Sequence, residues 1–190
     1  MLAAFLTGLG LAVPAGLNAY IPLLVVAIAN RFTGGIELDA PYDLISSNLG
    51  IGLLVLLLTV EIVIDKVPGL DHINDLLHSA IRPPAGAALM MAATAPTDLS
   101  PVIALLVGLG CAGAIHAIKS AARPMVTVST GGIANPLVSM GEDGLAAVTA
   151  IIAVLAPFFV VLPLLLLLGS SLWVWRRLRR RPVPEFPAAP

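Results

Sequence analysis

This sequence predicts an all-α fold, a polytopic membrane protein of about six transmembrane helices. Three observations lead there. Hydrophobic residues make up 58% of the 190 and charged ones 11%, with a mean hydropathy of +1.01. From Gly144 to Trp175 no side chain is charged, and Arg176, Arg177, Arg179, Arg180 and Arg181 follow at once. An apolar run closed by arginines is the pattern of a span that stops at a cytoplasmic face. The other apolar runs are separated by proline, glycine and acidic clusters, which are turn signals.

Residues 2–30 read as the first helix. It is broken at Pro14-Ala15-Gly16-Leu17-Asn18, with Pro22 close behind, because prolines and a glycine in one span weaken the backbone ladder. A polar loop carrying Glu37, Asp39 and Asp43 takes residues 31–48. The second helix covers 49–67 and ends at Pro68-Gly69. Residues 71–82 suit a short amphipathic helix. Ile73, Leu76, Leu77, Ala80 and Ile81 keep the 3.6 period opposite Asp71, Asn74, Asp75, His78 and Arg82. A segment this short with that pattern lies in the membrane interface or caps a bundle, and does not span. Pro83-Pro84 opens a short third helix over 85–95, and Pro96-Thr97-Asp98 is a turn. The fourth helix covers 101–122. Residues 124–135 are expected to be irregular, given Thr127, Ser129, Thr130, Gly131-Gly132 and Asn135-Pro136. The fifth helix covers 136–156, Ala156-Pro157 turns, and the sixth covers 158–175. Residues 1–178 thus form one membrane domain, and 179–190 an Arg/Pro-rich cytoplasmic tail without fixed structure.

Charge orients these elements. Six crossings with both termini cytoplasmic put Lys66, Arg82, Lys119, Arg123 and the five tail arginines inside and leave only Arg31 outside. That is the distribution the positive-inside rule favours, here for a bacterial inner (plasma) membrane. Six spans divide as three plus three, which allows an inverted repeat. Ser79-Ala80-Ile81-Arg82-Pro83 does echo Ser120-Ala121-Ala122-Arg123-Pro124, although shared helix-stop chemistry explains this too. No Lys or Arg precedes the first apolar run, which argues against a cleaved signal peptide. Cys111 is the only cysteine, so it can form neither an intrachain disulfide nor a cysteine-based metal site. It lies among Gly108, Gly110, Ala112 and Gly113, where small residues let helices approach.

The ionisable residues of the helical part gather in the cytoplasmic half. Glu61 and Asp65 share a helix face, with Lys66 adjacent. His116, Lys119 and Arg123 fall at i, i+3 and i+7 on the fourth helix. The economical arrangement sets the acids of the second helix, with Glu142 and Asp143 of the fifth, against those bases in a single polar pocket. The candidates for binding a solute or ion are therefore Glu61, Asp65, Lys66, Arg82, His116, Lys119, Arg123, Glu142 and Asp143, joined by Asn18 and Asn135 at the helix breaks. An ion-paired network that merely locks the helices is the competing explanation, and it suits Lys66, Lys119 and Arg123 better. Glu61 lies about 9 Å inside its helix end, and a short carboxylate snorkels poorly, so function is favoured there. His78, near His72, Asp71 and Asp75, fits a solvated face better than a metal site. His116 fits a packing histidine better than a proton relay. No nucleophile–histidine–acid constellation is visible, and Ser129-Thr130-Gly131-Gly132 lacks the lysine of a phosphate loop. No enzyme activity, cofactor or metal is expected. The tail arginines read as a topology anchor, and no nucleic-acid partner is expected.

Four segments carry a resemblance. Gly16-Leu17-Asn18-Ala19-Tyr20, Val60-Glu61 through Asp65-Lys66-Val67-Pro68-Gly69, Ile81-Arg82-Pro83-Pro84-Ala85-Gly86, and Gly141-Glu142-Asp143 resemble the successive motifs of the domain-of-unknown-function family numbered four-one-two-six, over about residues 15–172. The resemblance implies an integral membrane protein of a largely bacterial group in which Glu61, Asp65, Lys66, Arg82 and Glu142 belong to motifs. It implies no substrate. Three functions stay open. The first is a small permease or channel for an ion or small solute, proton- or cation-coupled through Glu61, working as a homo-oligomer among membrane lipids. The second is a translocase of anionic lipid or polyprenyl phosphate, with Arg82, Lys119 and Arg123 on the headgroup. The third is a non-transporting scaffold.

Overall fold

The computed structural model describes residues 1–64 and 71–179. Asp65, Lys66 and the tail from residue 180 onward lie outside that set. The described residues are mostly helical, with no strand among them: α1 (Leu2–Ala15), α2 (Tyr20–Ile28) prolonged by a π-helical turn (Ala29–Thr33), a 3-10 turn (Tyr42–Ser46), α3 (Asn48–Ile64), α4 (Asp71–Thr94), α5 (Pro101–Thr130), α6 (Asn135–Leu155), a 3-10 turn (Pro157–Val160) and α7 (Val161–Arg179). Among the described residues, α5 and α6 are long and apolar enough to cross a membrane; α1, α2 with its extension, α3 and residues 157–173 are shorter apolar helices.

The break in the first helix is a reversal. The amides of Gly16, Leu17 and Asn18 close on the carbonyls of Val13 and Pro14. Asn18 then heads a new helix, its Oδ1 accepting from the amides of Tyr20 (3.0 Å) and Ile21 (3.2 Å), as a capping side chain does. From there α2 runs back beside α1. The Thr7 hydroxyl of α1 donates to the Ala153 carbonyl, and Gly35, just past α2, approaches Val154. Both legs of the hairpin therefore reach the same turn of α6, and the buried tip, residues 16–19, lies at the far end of the bundle.

Met1 shares its end with the α4–α5 turn, since Met1, Leu2 and Phe5 line a cavity with Thr94, Thr97 and Leu99. Ser170 and Ser171 of α7 lie with Leu17 and Lys119 at the tip end. The chain thus begins at one end of the bundle and α7 leaves at the other. A single uninterrupted first helix, as six simple crossings need, would have put the two at the same end.

Two other expectations change. Asp71–Thr94 form one helix, α4, running through Pro83 and Pro84, where a surface helix and a separate short helix were expected. Proline deletes a donor and crowds the preceding turn, but α4 is held on both flanks. A Cβ on Gly86 would collide with Ala112 and the Gly108 carbonyl of α5 and approach the Ala12 carbonyl of α1. The amphipathic stripe is also turned the other way: Leu76 and Leu77 are exposed, while His78 and Arg82 are buried. The second change concerns residues 124–135. Helix α5 continues past Pro124, and the irregular stretch shrinks to residues 131–134. Thr127, Ser129 and Thr130 bond their hydroxyls to the carbonyls of Arg123, Met125 and Val126, so polar residues taken for loop signals are satisfied within the helix. Gly131 and Gly132, at φ +60° and +84°, make the turn that a side chain would strain. The turn at Ala156-Pro157 is where the sequence puts it.

The helix crossings depend on small residues. A Cβ on Gly108 meets the Gly86 carbonyl, Met90 and the Ala87 Cα, whereas one on Gly110 meets nothing within 4 Å. Gly108→Ala is therefore expected to cost about 1–3 kcal/mol through overpacking. Gly110→Ala is expected to be neutral or to stabilise by up to about 1 kcal/mol. Thermal melts of the two purified variants compare them; equal melts would contradict this packing.

Candidate functional site

Two knots of buried polar side chains meet along α5. The first joins α3, α4 and α5. Arg82, fully buried, donates from Nη2 to Glu61 Oε1 at 2.7 Å and from Nη1 to His116 Nδ1 at 3.0 Å. An arginine cannot accept, so Nδ1 is unprotonated. His116 is then neutral with its hydrogen on Nε2, which faces the Ser79 hydroxyl at 2.9 Å. His78 Nε2 lies 3.4 Å from the same Glu61 oxygen, and the Tyr20 ring meets His78 edge-on with centroids 5.8 Å apart. Glu61 is 2% exposed, and its Oε2 has no hydrogen-bond partner among the described residues. The helix spacing makes this possible: His78 and Arg82 at i, i+4, and Ser79 and Arg82 at i, i+3, share one face of α4.

The second knot closes around the hairpin tip. Lys119 Nζ donates to the Leu17 carbonyl at 2.7 Å and stands 2.9 Å from Glu142 Oε2. Arg123 Nη2 is 4.0 Å from that oxygen. Asn18, whose Oδ1 heads α2, donates from Nδ2 to Asp143 Oδ1 at 2.9 Å. An ammonium thus meets the carbonyl-rich end of α1, where a helix favours positive charge. Beside it lies a cavity of about 140 Å³ between the tip, α5, α6 and α7. Lys119, Glu142, Ser170 and Ser171 line one part of it, and Leu17, Ile118, Leu145 and Leu167 much of the rest.

His116, Lys119 and Arg123 do form one buried stripe, but its partners divide. Glu61 pairs with Arg82, and Lys119 pairs with Glu142, so the expected single pocket of Glu61 against Lys119 is two adjoining knots. Asn18, Glu142 and Asp143 join the second knot as candidates. Asn135 is buried at the head of α6 and donates to the Thr127 hydroxyl, tying the α5–α6 turn. Asp65 and Lys66 fall outside the described residues. The sequence reading set His78 on a solvated face, whereas it is buried beside Glu61, and it did not name Ser79. The signal for the two α4 residues was their spacing from Arg82, but an amphipathic stripe does not tell which face is inside.

Neither a curated protein nor a solved structure matches the chain. A family model described as a domain of unknown function (DUF4126) matches residues 5–177, a span that includes every residue of both knots. The chain belongs to the DUF4126 family.

Proposed function

We propose that this protein is a small membrane permease for a small solute, coupled to protons through Glu61. The observation that carries the reading is the layer of buried ionisable groups. Glu61, His78, Arg82, His116, Lys119 and Arg123 are all buried, while Leu53, Leu56, Leu106, Leu162, Leu165 and Leu166 are exposed. A bundle that is leucine outside and charged inside suits a lipid solvent, and intramembrane charge marks a functional path by default. Apolar residues would hold helices together at least as well as buried ion pairs, which gives the scaffold reading less support. Arg82 and Lys119 face inward, engaged by Glu61, His116, Leu17 and Glu142, so the lipid-headgroup reading has less support too.

In this reading the charged end is cytoplasmic, since the basic residues of α4, α5 and α7 lie there. The acidic loop with Glu37, Asp39 and Asp43 lies outside. Five helices, α3 to α7, cross. The α1–α2 hairpin enters from outside, and α1 extends about 21 Å at helical rise, stopping at the charged layer. Re-entrant backbone of this kind is tolerated where protein satisfies it, as Lys119 and Asn18 do. Glu61, with one oxygen unbonded and His78 alongside, is the proton site. Arg82 and His116 link it to α5, which carries Lys119 to the cavity one turn further on.

The test is proton uptake into proteoliposomes, followed with a lumenal pH dye while alkali cations, phosphate, carboxylic acids and amino acids are offered in turn. At least one class is expected to drive uptake in the wild type and not in Glu61→Gln. Equal uptake in both removes Glu61 from the mechanism, and no uptake with any class removes the permease.

A further inference from the structure

The cavity at the hairpin tip has a chemistry that narrows its occupant. Its volume, about 140 Å³, is close to that of a protein cavity that accepts benzene, so a ligand of about six to eight non-hydrogen atoms fits. Its charged lining is one ammonium and one carboxylate, Lys119 and Glu142, held 2.9 Å apart. Lys119 has three N–H donors; one is given to the Leu17 carbonyl, and the ammonium also stands 2.9 Å from Glu142 Oε2 as an ion pair. Glu142 lies against Lys119 and Arg123 through Oε2, yet that buried oxygen has no hydrogen-bond partner among the described residues. A lone anion entering here meets Glu142, and a lone cation meets Lys119, each a like charge in a poorly screened place. A ligand carrying both charges satisfies both groups. Leu17, Ile115, Leu145 and Leu167 then offer an apolar wall that a short alkyl group fills and water does not.

We infer that this cavity binds a small zwitterion with a short alkyl arm, the chemistry of an aliphatic α-amino acid. Its carboxylate lies on Lys119, its ammonium on Glu142 and its alkyl group against Leu145 and Leu167. The inference rests on the permease reading for its role in transport, but the site itself is tested by binding alone. Because Lys119 also holds the Leu17 carbonyl, the occupant competes directly with the bond that fixes the hairpin tip.

Equilibrium binding to the full chain in nanodiscs, read by calorimetry, compares L-valine with isobutyrate, isobutylamine and isobutanol, which keep the alkyl arm and drop one charge or both. Valine is expected to bind at least about tenfold tighter than any of the three, the difference that one charge-assisted hydrogen bond makes. Glu142→Gln is expected to weaken valine by about tenfold and leave isobutyrate unchanged or improved. Leu145→Phe, which fills the cavity and keeps both charges, is expected to abolish valine binding in a protein that still melts cooperatively. Valine binding no tighter than its single-charge analogues, or indifferent to Leu145→Phe, overturns the inference. Valine bound without any proton-linked uptake keeps the site and removes the permease. Uptake driven by another class, with no valine bound, does the reverse.

Discussion

Arg82→Leu is expected to destabilise the protein by about 3–5 kcal/mol, the cost of leaving a buried charge without its partner. Arg82 is fully buried and Glu61 nearly so, and their 2.7 Å hydrogen bond is Glu61's shortest. Without the guanidinium, Glu61 must either stay charged in an apolar interior or take up a proton, and His116 loses the donor that fixes its tautomer. Glu61→Gln is milder, about 1–2 kcal/mol, because an amide still accepts from Arg82. The double variant Glu61→Leu with Arg82→Leu is expected to recover most of what Arg82→Leu loses, since an apolar pair replaces an ionic one at little cost. The rescue is specific to this pair: exchanging the charges of Glu61 and Lys119 restores nothing, because Lys119 belongs to Glu142. Thermal unfolding in nanodiscs measures all four proteins. A loss below about 1 kcal/mol for Arg82→Leu, or rescue by the Glu61–Lys119 exchange, would contradict the two-knot arrangement.

An epitope at the N-terminus is expected to be reached by antibody in intact, right-side-out cells or vesicles, and one at the C-terminus only after permeabilisation. The effect is all-or-none. It follows from the fold-back at residues 16–19, which returns α2 to the Met1 end, where Thr7 and Gly35 flank the same turn of α6. Combined with a cytoplasmic charged end, it gives an external N-terminus in place of the cytoplasmic one that six simple crossings require. Residues 1–30 contain no Lys, Arg, His, Asp or Glu. The positive-inside rule therefore has nothing to weigh there, and the same distribution of basic residues is satisfied by either path of the first helix. Both epitopes protected, or both exposed, would exclude the hairpin topology.

Legibility in the sequence followed the kind of signal. Helix stops with strong backbone chemistry were readable: Gly131-Gly132, Ala156-Pro157 and the break near Asn18 all lie where proline, glycine and asparagine put them. Pro83, Pro84 and Pro124 misled. Each carries the same local signal, yet α4 and α5 run through them; for α4, contacts of Gly86 with α5 and α1 on either side hold the chain helical. The candidate residues were found because ionisable groups are rare in an apolar chain, so each one is conspicuous. Their partners were not found, because Glu61, Arg82 and His116 lie on three helices, and which helices touch is not a local property.

Composition and helical periodicity alone determined the class: an all-helical, strongly apolar chain with its few charges gathered toward one end. Those are sums over residues and need no neighbours. Whether Asn18 marks a kink or a reversal, which face of α4 turns inward, and that Glu61 takes Arg82 while Lys119 takes Glu142 were decided only by packing. The glycines at 86 and 108 let α4 and α5 close to contact, and that approach selects which buried charges lie within reach of each other.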